Sequence, residues 1–98
     1  MKNVEFHPLA EQELIDAVAY YERQQLKLGL KYLEHVEHAV NFLVRYPQVG
    51  PKVRGSVRSL TLPKFPYSLL YRVLKDDQIR ILAVAHHKRR PQYWLKRE

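Results

Sequence analysis

The stretch YSLLYRVLKDDQIRILAVAH, residues 67–86, decides the fold of this chain. Apolar residues dominate both of its halves and include tyrosine, valine and isoleucine, which are typical of strands. Between the halves, Asp76-Asp77 suits a tight turn, because aspartate tolerates the backbone conformations that hairpin turns require. We therefore predict a β-hairpin whose strands are YSLLYRVLK and QIRILAVAH.

Both faces of this predicted hairpin are largely apolar. With a two-residue turn, one face carries Tyr67, Leu69, Tyr71, Val73, Arg80, Leu82, Val84 and His86. The other carries Ser68, Leu70, Arg72, Leu74, Ile79, Ile81, Ala83 and Ala85. One face must pack on other elements, and too little chain remains to cover the second fully. We therefore expect an exposed hydrophobic groove that a partner would fill.

Two amphipathic helices precede the hairpin. The first begins near Pro8, which fits a first helical turn, and has apolar residues at three- and four-residue spacing over roughly 15 residues. QQLKLG breaks the pattern, and a second, longer helix ends at Tyr46-Pro47. A short connection between consecutive helices predicts an antiparallel helical hairpin.

The remaining segments complete a β-α-α-β-β-β order. NVEFHP alternates like a short strand, VRSLTL reads as the strand before the hairpin, and PQVGPKVRGS between the halves reads as a loop. The fold class is therefore α+β, with an antiparallel sheet packed on the N-terminal helical hairpin. We expect a single domain over residues 1–98, whose hydrophobic fraction of 46% suits a packed core.

The charge of +7 is concentrated in the second half of the chain. Residues 1–50 hold five Lys and Arg against seven Asp and Glu, whereas residues 51–98 hold twelve against three. A basic half of this kind favours contact with nucleic acid, an acidic protein or an anionic surface, although solubility alone could explain it. Without cysteine, a membrane-length apolar run or a signal-peptide core, we expect a cytoplasmic protein with no membrane contact.

The sequence gives little support for a self-contained catalytic site or a metal site. Adjacent His86 and His87 would point to opposite faces of a strand, and no nucleophile elbow or glycine-rich phosphate loop is present. We expect neither a metal nor a cofactor. Cleavage of RNA remains possible with Arg72 and Arg89 stabilising charge and His87 and Tyr93 moving protons.

The same region could instead serve binding alone. In AVAHHKRRPQYW, residues 83–94, cations would contact phosphates or carboxylates while aromatics stack or fill a pocket. Alternatively, Tyr93 and Trp94 fold back onto the sheet as a hydrophobic latch. The candidate residues for binding a target or partner are Arg54, Arg58, Arg72, His86, Lys88, Arg89, Arg90, Tyr93 and Trp94.

In order and spacing, the chain resembles the RelE/ParE superfamily of toxins from type II toxin–antitoxin modules. The segments that carry the resemblance are VEFHPLAEQEL, AYYERQ, FLVRYPQVGPKVR, VRSLTLPKFPYSLLYRV and ILAVAHHKRRPQYW. The resemblance implies the β-α-α-β-β-β fold and a small antitoxin, an extended or helical segment of which packs on the toxin. It also implies that operator DNA is contacted only through the antitoxin, which we expect to be acidic where it crosses the basic surface.

Two branches of this superfamily have different targets. RelE-like members cleave messenger RNA on the ribosome with basic residues, whereas ParE-like members act on DNA gyrase. This chain has Ser68 where the RelE-like pattern implies a catalytic arginine, and Ser59 and Thr61 where it implies lysines; only Lys88 or Arg89 and Tyr93 match. The resemblance therefore favours the ParE-like branch. A ribosome-dependent endoribonuclease and a non-toxic member that only binds antitoxin are the alternatives.

Overall fold

A computed structural model describes residues 3–98 of the chain. Its elements are β1 (Val4–Phe6), α1 (Pro8–Gln24), α2 (Leu28–Arg45), β2 (Lys52–Arg54), β3 (Val57–Thr61), β4 (Tyr67–Val73) and β5 (Ile79–His86). The strands form one sheet in the order β1-β5-β4-β3-β2. This arrangement confirms the predicted α+β class.

Two details of the sheet differ from the prediction. The segment PQVGPKVRGS contains the short edge strand β2, which pairs antiparallel with β3, so the sheet has five strands. At the opposite edge, β1 pairs parallel with β5 from Val4↔Ile79 to Phe6↔Ile81. The sheet is therefore mixed rather than wholly antiparallel, because the first strand joins the last one.

The helical hairpin forms as predicted, with a three-residue connection between α1 and α2. Gly29 lies in the first turn of α2, where the backbones of the two helices are in close contact. A Cβ atom there would lie 2.4 Å from the Val18 carbonyl oxygen of α1. Glu22 of α1 accepts hydrogen bonds from the backbone N–H groups of Lys27 and Gly29, which fixes the turn. Only glycine allows this approach of the two backbones.

His7 caps the N-terminus of α1. Its Nδ1 atom accepts a hydrogen bond from the Leu9 N–H at 3.0 Å, an interaction that a protonated Nδ1 could not make. Burial, followed by the positive charges of Arg80 and Arg97, lowers the pKa of His7 below its usual value of 6.5, and Glu13 opposes them. The neutral imidazole is therefore the form that supports the fold.

Acidification should weaken this cap. Because the pKa of His7 is lower in the folded state, its contribution is complete above 6.5 and is lost as the pH falls from 6.5 through the folded-state value. On acidification, the free energy of unfolding of the parent protein should therefore fall by roughly 0.5 kcal/mol more than that of His7→Asn. The asparagine side chain keeps an acceptor at the cap that does not titrate. Urea unfolding of both proteins at about pH 7.5 and about pH 5 measures this difference. His38→Asn, at an exposed position of α2, is the control, and an unchanged pH dependence in His7→Asn contradicts the cap.

The main core lies between the helices and one face of the sheet. Tyr32, Val36 and Leu43 of α2 pack there against Leu69 and Tyr71 of β4. The Tyr71 hydroxyl accepts a hydrogen bond from the Gly50 N–H at 3.0 Å, which holds the loop after α2 to the sheet. This face of the hairpin is fully covered by chain, as the prediction required.

A β-bulge changes the predicted assignment of residues to the two faces. Near the open end of the hairpin, Tyr67 pairs with His86 as predicted, but the register shifts between Leu70 and Tyr71. Tyr71 therefore pairs with Ile81, and the predicted placement of Arg80 and Leu82 beside Tyr71 is wrong. The connection is a turn of 3₁₀ helix, Lys75–Asp77, rather than a two-residue turn.

The predicted hydrophobic groove on the second face is also wrong. Trp94 folds over that face and is itself only 5% exposed. It forms a second core cluster whose other buried members are Val57, Leu70, Leu82, Ala83 and Ala85. The arrangement observed is the hydrophobic latch, the alternative role for Trp94. Burial of its large apolar indole stabilises the folded chain more than exposure to water would. Between residues 3 and 98, no helix has the length and apolar character that a membrane span requires.

Candidate functional site

The residues after β5 connect the second sheet face to α1. We call residues 87–98 the C-terminal segment. It crosses the second face, where Trp94 is buried and the Gln92 side chain accepts a hydrogen bond from Arg54 of β2 at 3.1 Å. Farther along, the main-chain oxygen of Glu98 accepts a hydrogen bond from Arg80 of β5. Hydrogen bonds thus attach the segment to β2 at one edge of the sheet and to β5 near the other edge.

Glu13 of α1 is the central side chain of this attachment. It pairs with Arg97 through two hydrogen bonds of 3.0 and 2.9 Å, and both side chains are largely buried, at 15% and 12% exposure. The pair also covers the edge of β5 beyond the end of β1. Glu13 accepts the Val84 N–H at 2.9 Å, and Arg97 donates to the Leu82 carbonyl at 3.0 Å. An ion pair therefore satisfies edge groups that lack a neighbouring strand.

Tyr93 and Arg89 complete the cluster around Glu13. The Tyr93 hydroxyl donates to Glu13 at 2.8 Å, and the Arg89 guanidinium lies 3.9 Å from the centre of the Tyr93 ring. Burial, and then the hydrogen bond to Glu13 and its negative charge, raise the pKa of Tyr93 well above its usual value, although Arg89 and Arg97 oppose this. A hydroxyl held in this way is a poor proton donor to a substrate, so Tyr93 is suited to attaching the segment.

A different group of polar side chains lies at the N-terminal end of β4. Ser68 shares a hydrogen bond of 3.1 Å with Thr61 of β3 and another of 2.9 Å with the Nε2 atom of His87. We call these three residues the hydroxyl chain. Ser68 and Thr61 stand where the RelE-like pattern implies an arginine and a lysine. The structure therefore has hydrogen-bonded hydroxyls where that chemistry would need cations.

The four residues proposed for RNA cleavage do not meet at one place. Arg89 and Tyr93 are stacked beside Glu13 at the β5 edge. His87 instead bonds to Ser68, and Arg72 lies four residues farther along β4, about 13 Å away along the strand. Arg72 donates to the Ser56 hydroxyl at 3.0 Å. This arrangement offers no single centre for proton transfer and charge stabilisation by all four.

The residues proposed for binding also separate into groups. Arg58 donates to the carbonyls of Gln48 and Gly50 at 3.0 and 2.7 Å, so it holds the loop before β2. His86 packs edge-on against Tyr67, with ring centres 4.9 Å apart. Arg54, Lys88 and Arg90 are exposed, whereas Arg72 is half-buried. The exposed cations therefore lie on the second sheet face and in the turn after β5.

An apolar cavity that was not predicted from the sequence lies at the C-terminal end of α2. It has a volume of about 720 Å³ and is lined by Phe42, Arg45, Tyr46, Pro47, Gln48, Val49 and Asp77. Phe42 and Tyr46 are 42% and 53% exposed and contact each other with ring centres 5.2 Å apart. Phe42 and Tyr46 are four residues apart and lie outside the buried face of α2. This spacing is the sequence signal that could have indicated the cavity. Adjacent exposed aromatic side chains beside a cavity are typical of interaction surfaces.

Comparisons with known proteins all match this chain to toxins or toxin–antitoxin systems. Residues 4–91 match the family model described as the ParE toxin of the type II toxin–antitoxin system parDE. A Sinorhizobium fredii protein whose name is putative toxin Y4kP is 31% identical over 93 residues, which cover 93% of this chain and 95% of that protein. A solved structure titled as a chromosomal ParDE toxin–antitoxin system from P. aeruginosa matches with a TM-score of 0.61 and 26% identity. The match covers 86% of this chain and 94% of that one.

Proposed function

Because this chain belongs to the ParE toxin family of type II toxin–antitoxin systems, we propose that its target is DNA gyrase and that a cognate antitoxin neutralises it. The observation that supports gyrase over messenger RNA is the hydroxyl chain of Thr61, Ser68 and His87. Cleavage of RNA requires cations that stabilise the developing charge on phosphorus, and hydroxyl groups at these positions supply none. Inhibition by binding requires no such set.

Two features of the surface support neutralisation by a small partner protein. The apolar cavity that contains Phe42 and Tyr46 can receive aliphatic or aromatic side chains. The net charge of +7, concentrated in the second half of the chain, favours an acidic partner and speeds its association. We infer that the antitoxin combines apolar anchors with acidic residues. Operator DNA would then be contacted through the antitoxin.

The proposal predicts growth arrest with intact message. Inducible expression of the chain in bacteria should stop growth, and the purified protein should inhibit supercoiling by bacterial gyrase. Co-expression of the small protein encoded next to the toxin should restore growth and yield a stable complex. Message cleaved at ribosomal A-site codons, with supercoiling unaffected, would support the endoribonuclease alternative instead. In that case Arg89→Ala and Tyr93→Ala should abolish cleavage. Expression without arrest would indicate a member that only binds antitoxin.

A further inference from the structure

One register row crosses all five strands and carries three arginines. Strand pairing aligns Glu5 with Arg80, Arg80 with Arg72, Arg72 with Val57, and Val57 with Arg54. Side chains of directly paired residues project from the same face of a sheet. Val57 belongs to the cluster around Trp94, so the row lies on the second face. We call Arg54, Arg72 and Arg80 the cationic row.

The row is incompletely neutralised. Arg72 and Arg80 are directly opposite on adjacent strands, an arrangement in which like charges repel. Arg80 is compensated, since it pairs with Glu5 at 2.8 Å and donates to the Glu98 main-chain oxygen. Within residues 3–98, Arg72 bonds only to the Ser56 hydroxyl and Arg54 only to the Gln92 side chain, and neither forms an ion pair. Two guanidinium groups therefore remain available to anions.

We propose that the cationic row binds an acidic peptide segment of the antitoxin, whose carboxylates pair with Arg72 and Arg54. This inference rests on the proposed function and adds the place at which the partner's acidic residues dock. Arginine presents a planar fork of donors that matches a carboxylate at two points. The two arginines are separated by β3, so their Cα atoms lie about 10 Å apart, within the reach of one extended peptide.

The surroundings of the row favour a peptide over nucleic acid. Single-stranded nucleic acids bind where cations are interleaved with exposed aromatic rings on which bases stack. In the described part of the chain, the most exposed aromatic side chains are Tyr20, Phe42 and Tyr46, which all lie on or directly after the helices on the opposite side of the sheet. On the second face, Trp94 is buried beneath the segment that it anchors. Carboxylates therefore suit the row better than stacked nucleotides.

Binding of a labelled oligoglutamate peptide by the full-length chain tests this assignment. Arg54→Gln/Arg72→Gln removes two charges from the row, and Lys31→Gln/Lys64→Gln removes two charges from exposed positions elsewhere. We expect about tenfold weaker binding for the first variant, since it loses two ion pairs with the peptide, and less than about twofold weakening for the second. Circular dichroism checks that both variants are folded.

Three outcomes separate this inference from competing explanations. Equal weakening in both variants would overturn it, because general attraction to a basic protein would then explain binding. Tighter binding of a DNA duplex than of the peptide, lost with the arginines, would overturn the choice of ligand. Peptide binding that depends on the row supports it even if the chain neither arrests growth nor inhibits gyrase. That combination would contradict the proposed target and leave the docking surface intact.

Discussion

Replacing Trp94 with alanine should lower the free energy of unfolding by about 3–5 kcal/mol, a large part of the stability of a domain of this size. Trp94 is 5% exposed and is packed on Leu70, Leu82 and Ala85. Its removal takes away the cover of the second sheet face and leaves these residues in water. The midpoint of thermal unfolding should fall by roughly 15 °C. Urea and thermal unfolding followed by circular dichroism measure both effects.

Leu95→Ala is the matched control, since Leu95 follows Trp94 in the same segment but is 44% exposed. It should change the free energy of unfolding by less than about 1 kcal/mol. At temperatures where Trp94→Ala is still folded, the uncovered face should bind a hydrophobic dye that the parent protein does not bind. Similar losses in both variants, or no gain in dye binding, would show that the indole does not seal the face.

Glu13→Ala should be nearly as destabilising, by about 3–5 kcal/mol. The change leaves the Arg97 guanidinium, 12% exposed, without an acidic partner, and it removes the acceptor of the Val84 N–H and of the Tyr93 hydroxyl. Removing one member of a buried pair costs more than the pair itself contributes, because the other charge stays buried. Urea unfolding measures the loss, and the exposed Glu11→Ala on the same helix is the control.

A double-mutant cycle with Glu13→Gln and Arg97→Gln isolates the pair itself. We expect a coupling free energy of about 2 kcal/mol, and we expect it to persist at about 1 M salt because both groups are shielded from solvent. If the two single effects simply add, to within roughly 0.5 kcal/mol, the ion pair does not hold the C-terminal segment, and Trp94 alone does so.

Local patterns were sufficient to predict most of the fold. The helices followed from apolar spacing, and the hairpin from residues 67–86, because these signals act within one element. The bulge at Leu82 and Ala83 was not predictable, since both residues are apolar and either could face the core. Strand β2 lies in a segment predicted as a loop, because three exposed residues with two cations lack an apolar face. The pairing of β1 with β5 depends on contacts between the two ends of the chain.

The site was less predictable than the fold, because it is built by contacts distant in sequence. Glu13 was not proposed, although one signal was present. Ala10 and Ala17, three residues before and four after it, are both buried, so Glu13 lies on the buried stripe of α1. A carboxylate there requires a partner, but the sequence does not identify Arg97 as that partner. Conversely, Arg58 is one of the predicted binding residues, but its hydrogen bonds to the Gln48 and Gly50 carbonyls depend on how the loop before β2 folds.

The pairing of the first strand with the last also affects when the protein can fold during synthesis. Val4 needs Ile79, and Glu13 needs Arg97, which is 84 residues later. Contacts between residues so far apart in sequence form slowly, because the entropy of closing a long loop must be lost first. The sheet and its C-terminal cover therefore cannot close until the ribosome has released residues 79–97.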